Sequence, residues 1–163
     1  VLIDLQKSIL TLIVKQLTSN LMSGKSIMTM SLPVEIFDDY STTESFASNF
    51  GFVPLFMRKA LKEDRIEEQI KFVVIPFMFM FACNPKVSKP FNPILGETCQ
   101  TMVGGIPVYM EQVSHHPPIT AYYIKTDQFE ISGVIDINVD VGLNSAHTKL
   151  PTPAKVKIFK NNT

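Results

Sequence analysis

The sequence predicts an α+β chain, helical in its first half and antiparallel β in its second. Three observations carry this. Leu5, Ile9, Leu12, Ile13, Leu17 and Leu21 recur near the 3.6-residue period of an amphipathic helix. Ile135, Ile137, Val139 and Val141 alternate with Asp136, Asn138 and Asp140, the period of a strand with one buried and one wet face. Between these regions the texture changes from Asn84, where Pro85, Pro90, Pro93 and Gly96 interrupt any regular element.

The elements follow in order. Residues 2–22 read as a helix with Lys7 and Lys15 off the apolar stripe, and Leu2, Ile3, Leu10 and Val14 widen that stripe. Gly24 is placed to end it. Ser26–Ile36 reads as extended, because Pro33 keeps Leu32 out of the α region. Thr42 or Thr43 is expected to cap a short helix over Glu44–Phe50, broken by Gly51. Pro54–Lys71 is a second helix, its acids and bases spaced three and four apart. Phe72–Ala82 continues as a buried third helix, broken or kinked near Pro76. Asn84–Gly96 is read as an irregular loop. Glu97–Val103 and Ile106–Val113 flank Gly104-Gly105, a strong hairpin signal. Ile119–Lys125, a turn at Thr126–Gln128, Phe129–Val141 and Lys155–Lys160 complete the strands.

Composition narrows the function classes. Hydrophobic residues make up 45% and charged residues 18%, which suits a packed core rather than disorder. Lys+Arg and Asp+Glu number 15 each, so no global basic field exists to hold nucleic acid. The charge is unevenly placed. Lys7, Lys15 and Lys25 outnumber Asp4 near the start; Glu35, Asp38, Asp39 and Glu44 form an acidic stretch; Lys149, Lys155, Lys157 and Lys160 close the chain. The basic, apolar ends are suited to a membrane surface, and equally to ordinary solvated faces. Cys83 and Cys99 stand in no metal-type spacing and read as reduced, largely buried thiols. The apolar run Phe72–Cys83 is well short of the about 20 residues a membrane span needs. Val1–Val14 lacks the basic flank and cleavage site of a signal peptide. The missing initial Met and the abrupt basic ending read as a fragment.

Two segments concentrate chemistry in Pro-rich backbone: Lys89–Glu97 (KPFNPILGE) and Glu111–Pro118 (EQVSHHPP). His115 and His116 admit several readings. Adjacent strand residues point to opposite faces, and Pro117-Pro118 denies helical spacing, so a shared zinc is disfavoured. Ser114 as a nucleophile with His115 as base lacks a G-x-S-x-G elbow. A pair of imidazoles satisfied by backbone at a strand end is the plain structural reading. An anion site is the remaining one, with both imidazoles and Lys89 as donors to a phosphate.

EQVSHHPP resembles the fingerprint of the oxysterol-binding-protein-related family of lipid-transfer domains. KPFNPILGE is similar to that family's second marker, and GKSIMTMSLPVEIF (residues 24–37) to the segment after its N-terminal lid. The resemblance implies that residues 1–163 are the N-terminal part of one such domain: a lid-like segment at 1–30, helices over 43–83 and early barrel strands over 97–163. The implied fold is an incomplete β-barrel around a hydrophobic lipid tunnel. The implied function is non-enzymatic lipid binding and transfer between membranes, exchanging a sterol or phosphatidylserine for phosphatidylinositol 4-phosphate. A phosphoinositide-binding sensor that transfers nothing is the alternative. Lys89, His115 and His116 would hold the headgroup, with Asn92 and Glu97 shaping the entrance. Leu17, Leu21, Leu32 and Pro33 would belong to the lid and tunnel mouth. No cofactor, metal or catalytic residue is implied. A monomer is expected, cytoplasmic and peripherally associated with intracellular membranes. The family's acidic-Pro-Ser signature is replaced by Asp38-Asp39-Tyr40-Ser41.

Overall fold

The N-terminal apolar stripe folds as α1 (Leu2–Met22). In this computed structural model the described residues are 2–22, 34, 37–82, 89–136, 138–141, 146–149 and 153–159. Leu32, Pro33, Gly24, most of the expected 26–36 extended segment and Cys83 lie outside them. Of Leu17, Leu21 and Lys89 only the backbone is described. Among the apolar side chains of α1 that are described, Leu10 is 62%, Val14 54% and Met22 86% exposed, and Ile13 is half-buried.

Strand β1 (Phe37–Ser41) runs directly into α2 (Thr42–Asn49), which starts two residues before the expected Glu44. The cap is Ser41, not Thr42 or Thr43. Glu44 lies three residues after Ser41, so the two form a reciprocal capping box, with the Ser41 N–H donating to Glu44 Oε2 at 2.8 Å. A single 3₁₀ turn (Phe50–Phe52) leads to α3 (Val53–Lys62), with Pro54 in its first turn, where the missing N–H costs nothing.

The long helix expected over Pro54–Lys71 breaks at Glu63–Arg65, and α4 (Ile66–Ala82) continues unbroken through Pro76. The break is stabilised from both sides. The Gln69 amide donates to the Ala60 carbonyl at 2.8 Å, which also accepts the Glu63 N–H at 3.3 Å, while Glu63 Oε1 accepts the Arg65 N–H at 3.1 Å. Pro76 is buried in the packed face of this helix. Nor is α4 a fully buried helix. Gln69, Pro76 and Met80 face the core, whereas Ile66, Ile70, Val74 and Met78, four apart, form an exposed apolar row.

Lys89–Phe91, expected as loop, is β2, paired in parallel with β1. The Phe37 and Phe91 rings stack at 4.8 Å, which compensates for a strand too short and Pro-broken to signal itself. The main sheet is antiparallel, in the order β3 (Thr98–Val103), β4 (Ile106–His115), β5 (Pro118–Lys125), β6 (Phe129–Asp136), β9 (Ala154–Ile158). Among the described residues it is open, with β3 and β9 at its edges. Gly104 and Gly105 turn the β3–β4 hairpin at φ +54° and +82°, and Pro54 lies where a Gly104 side chain would be. The expected Phe129–Val141 strand divides between two sheets: β7 (Asn138–Val141) pairs with β8 (Ala146–Lys149) instead. Period 2 reports which face a residue takes and not which strand it meets.

The core lies between the helices and one face of this sheet. Phe50, Val53 and Met57 pack against Val108, Met110, Tyr122, Ile124, Phe129, Ile131 and Ile135. The Phe50 and Tyr122 rings meet at 5.0 Å. Cys99 is a free thiol on edge strand β3 and is half-buried, not largely buried as expected; burial, reinforced by Glu44 and Glu97, pushes it up.

Candidate functional site

The β4–β5 hairpin carries the histidines. His115 pairs with Pro118, and His116-Pro117 make the turn through a cis peptide bond. Both imidazoles are exposed. They do not diverge to opposite faces as adjacent strand residues would. The turn ends the strand between them, and their rings meet edge to face with centroids 4.6 Å apart. Between them the two rings carry four nitrogens able to donate or accept hydrogen bonds.

Backbone bonds tie this hairpin to the other marked segment. Gly96 N–H donates to the Gln112 carbonyl at 2.8 Å and Gln112 N–H to the Glu97 carbonyl at 2.9 Å. Beyond Gln112 the register of β4 slips by one residue at Val113, a β-bulge that re-aims the strand end. The Gln112 side chain is only 2% exposed; its amide donates to the Ser114 carbonyl at 2.7 Å and accepts from the Thr120 hydroxyl at 2.6 Å.

Glu97 is a brace within this frame. Its Oε1 accepts from the Thr43 hydroxyl at 2.7 Å and its Oε2 from the Ile94 N–H at 3.3 Å. Partial burial pushes the carboxyl up, but the hydrogen bonds from Ser41, Thr43 and Ile94 outweigh it and hold the group below the usual carboxylate range. Glu97 thus joins the start of α2 to the Asn92–Glu97 loop. Asn92 is exposed on that loop. Lys89 lies in β2 before the same loop, its backbone opposite Phe37.

From sequence Thr43 stands out only as a candidate helix cap, and Gln112 and Thr120 do not stand out. The available signal was a polar residue on the buried side of an alternating strand: Gln112 follows Val108 and Met110, and Thr120 precedes Tyr122 and Ile124. No group of three His, Cys, Asp or Glu side chains among the described residues is arranged to hold a metal. No helix among them is long and apolar enough to cross a membrane.

Comparison with known proteins supplies the lineage. The family model for oxysterol-binding protein matches residues 13–162. Oxysterol-binding protein 9 of Dictyostelium discoideum is 29% identical, over 78% of this chain and 31% of the relative. Human oxysterol-binding protein-related protein 5 is 32% identical, over 79% of this chain and 15% of the relative. The crystal structure of the Osh1 ORD domain with cholesterol superposes with a TM-score of 0.73 at 26% identity, over 88% of this chain and 35% of that one. The Osh3 ORD of Saccharomyces cerevisiae, solved with PI(4)P, shares the fold at TM-score 0.72 and 24% identity, over 88% of this chain and 40% of that one. The chain therefore spans well under half of each of these proteins, and it belongs to the oxysterol-binding protein family.

Proposed function

We propose that this chain is part of a lipid-binding and lipid-transfer domain. It takes a sterol or a phospholipid such as phosphatidylserine into an apolar site and exchanges it for phosphatidylinositol 4-phosphate at a second membrane. The observation that carries this reading is the His115–Pro118 turn. Two exposed imidazoles, 4.6 Å apart, sit on a strand hydrogen-bonded to the loop that follows Lys89.

The chemistry is a division of labour. Carrying a lipid through water requires covering its apolar body, worth about 0.8 kcal/mol per CH₂. The 12 Phe and 8 Met of the chain supply adaptable apolar surface. A phosphate cannot follow the lipid into such surroundings unpaired. It stops at a polar rim, and Lys89, His115 and His116 offer one, with charge-assisted bonds to phosphate oxygens. Glu97 and Asn92 belong to this rim as its support and its margin. The exposed Leu10, Leu12, Val14 and Met22 of α1 suit a cover over the apolar site, and Leu17, Leu21, Leu32 and Pro33 would belong to that cover and the mouth of the site. Lys7, Lys15 and Lys25 would each add about 1 kcal/mol of attraction at an anionic membrane. Binding and release need no bond-making step, so the protein acts as a carrier rather than an enzyme, at the cytoplasmic face of intracellular membranes.

The test is lipid movement between two liposome populations, one donating labelled sterol or phosphatidylserine, the other containing phosphatidylinositol 4-phosphate. The protein is expressed from its complete reading frame. Transfer should be accelerated by the phosphoinositide, and His115→Ala/His116→Ala should abolish that acceleration while sparing binding of the neutral lipid. Phosphoinositide binding without lipid movement would instead assign a sensor. Equal loss of both lipids, with circular dichroism unchanged, would contradict a headgroup role for the pair.

A further inference from the structure

We infer that Gln112 is a positioning residue for the His115–His116 pair, its buried amide fixing the turn in the geometry that meets a phosphate-bearing ligand. The inference rests on the headgroup reading above and names what holds that site in shape.

The hairpin lacks one of its ordinary constraints. In a two-residue hairpin opposite His115 and Pro118, the closing bond would run from the N–H of residue 118 to the carbonyl of residue 115, and proline has no N–H to give. The bulge at Val113 loosens the strand just before the turn. Between these two weak points lies Ser114, and its carbonyl is where the Gln112 amide is bonded, at 2.7 Å. The amide is itself oriented, because its oxygen accepts from the buried Thr120 hydroxyl on the facing strand at 2.6 Å. The backbone of Gln112 is held on its other side by Gly96 and Glu97. A chain of bonds therefore runs from the Glu97 loop through Gln112 to the residue before the histidines.

Packing alone does not call for an amide here. Gln112 continues the apolar column of Val108 and Met110 and is as buried as they are. Methionine would fill similar volume with no polar atoms to satisfy. A buried amide is costly unless its bonds are made, and here they run to the Ser114 carbonyl and from the Thr120 hydroxyl.

The experiment uses Gln112→Met in the protein expressed from its complete reading frame, with isotope-labelled histidine. Vesicles with and without phosphatidylinositol 4-phosphate are the probes, and inorganic phosphate is a further arm to separate a bare phosphate site from a lipid headgroup site. Affinity for the phosphoinositide vesicles should fall about fivefold to tenfold, the equivalent of one lost hydrogen bond. Retention of a neutral sterol should change by less than about twofold, and the His115 and His116 imidazole resonances should shift or broaden while those of His147 stay in place. Thr120→Val, which removes only the group that orients the amide, should give a smaller change in the same direction; it decides the matter if Gln112→Met does not fold. Imidazole resonances unchanged in both variants would overturn the inference. So would wild-type affinity in both, or equal loss of sterol and phosphoinositide. If the wild-type protein ignores phosphoinositide, the headgroup reading fails by itself, and the imidazole resonances still decide whether Gln112 sets the turn.

Discussion

The five-stranded sheet and α1 are both written in apolar periodicity, yet they spend it differently. In the sheet the apolar alternation ends in a core: Ile124 and Ile131 are 0% exposed and Val108 1%. In α1 the same kind of patterning leaves Leu10, Leu12, Val14 and Met22 exposed. Period reports which face of an element is apolar. It does not report what covers that face, and the covering surface is what distinguishes a structural element from one available to a ligand or a membrane.

Substitutions can break that contrast, beginning with the largest expected effect. Ile131→Ala empties a site in the middle of the sheet and should cost about 2–5 kcal/mol. Leu10→Ala, the same kind of truncation on α1, should stay within about 0.5 kcal/mol. Denaturant unfolding followed by tyrosine fluorescence measures both, since the chain has no Trp. Comparable losses in the two variants would mean that α1 is core.

Gly133→Ala sharpens the contrast within the sheet. A methyl group there would fall against the Tyr122 phenol and 2.5 Å from the Pro153 carbonyl oxygen, and that backbone oxygen cannot swing aside. The expected cost is about 1–3 kcal/mol, read in the same unfolding experiment.

A smaller effect appears in alkali. Burial pushes the Tyr122 phenol up to about 12, whereas a tyrosine in an unfolded chain ionises near about 10. Across that window the unfolded chain has released a proton that the folded chain still holds, so stability falls as pH rises. Tyr122→Phe should flatten this alkaline slope, measured as unfolding midpoint against pH.

Much of this structure is legible in the residues. The Gly104-Gly105 hairpin, the strand-like run Ile119–Lys125 and the 3.6-residue stripe of α1 each state their geometry locally. What is not legible depends on distant partners. The Glu63–Arg65 break is stabilised by Gln69 reaching back to Ala60, and no helix propensity reports that reach. The β2 strand exists because Phe91 stacks on Phe37 across a long stretch of chain. The Ser41 cap could have been read from Ser41-x-x-Glu44. The same holds at the candidate site. His115, His116 and Glu97 are visible as chemistry in a Pro-rich context, whereas Gln112 and Thr120 gain their roles only when β4 and β5 set them opposite each other.

The contrast between sheet and helix is tested most directly by amide hydrogen exchange along the whole chain, with and without bound lipid. With lipid absent, exchange over Leu5–Leu21 should be fast while β5 and β6 are protected, since elements that move come from the low-stability end of a structure. With sterol or phosphatidylinositol 4-phosphate bound, exchange over Leu5–Leu21 should slow strongly and the sheet should change little. Slow exchange of α1 in both states would contradict the proposal that it covers a bound lipid and make it a packed part of the fold.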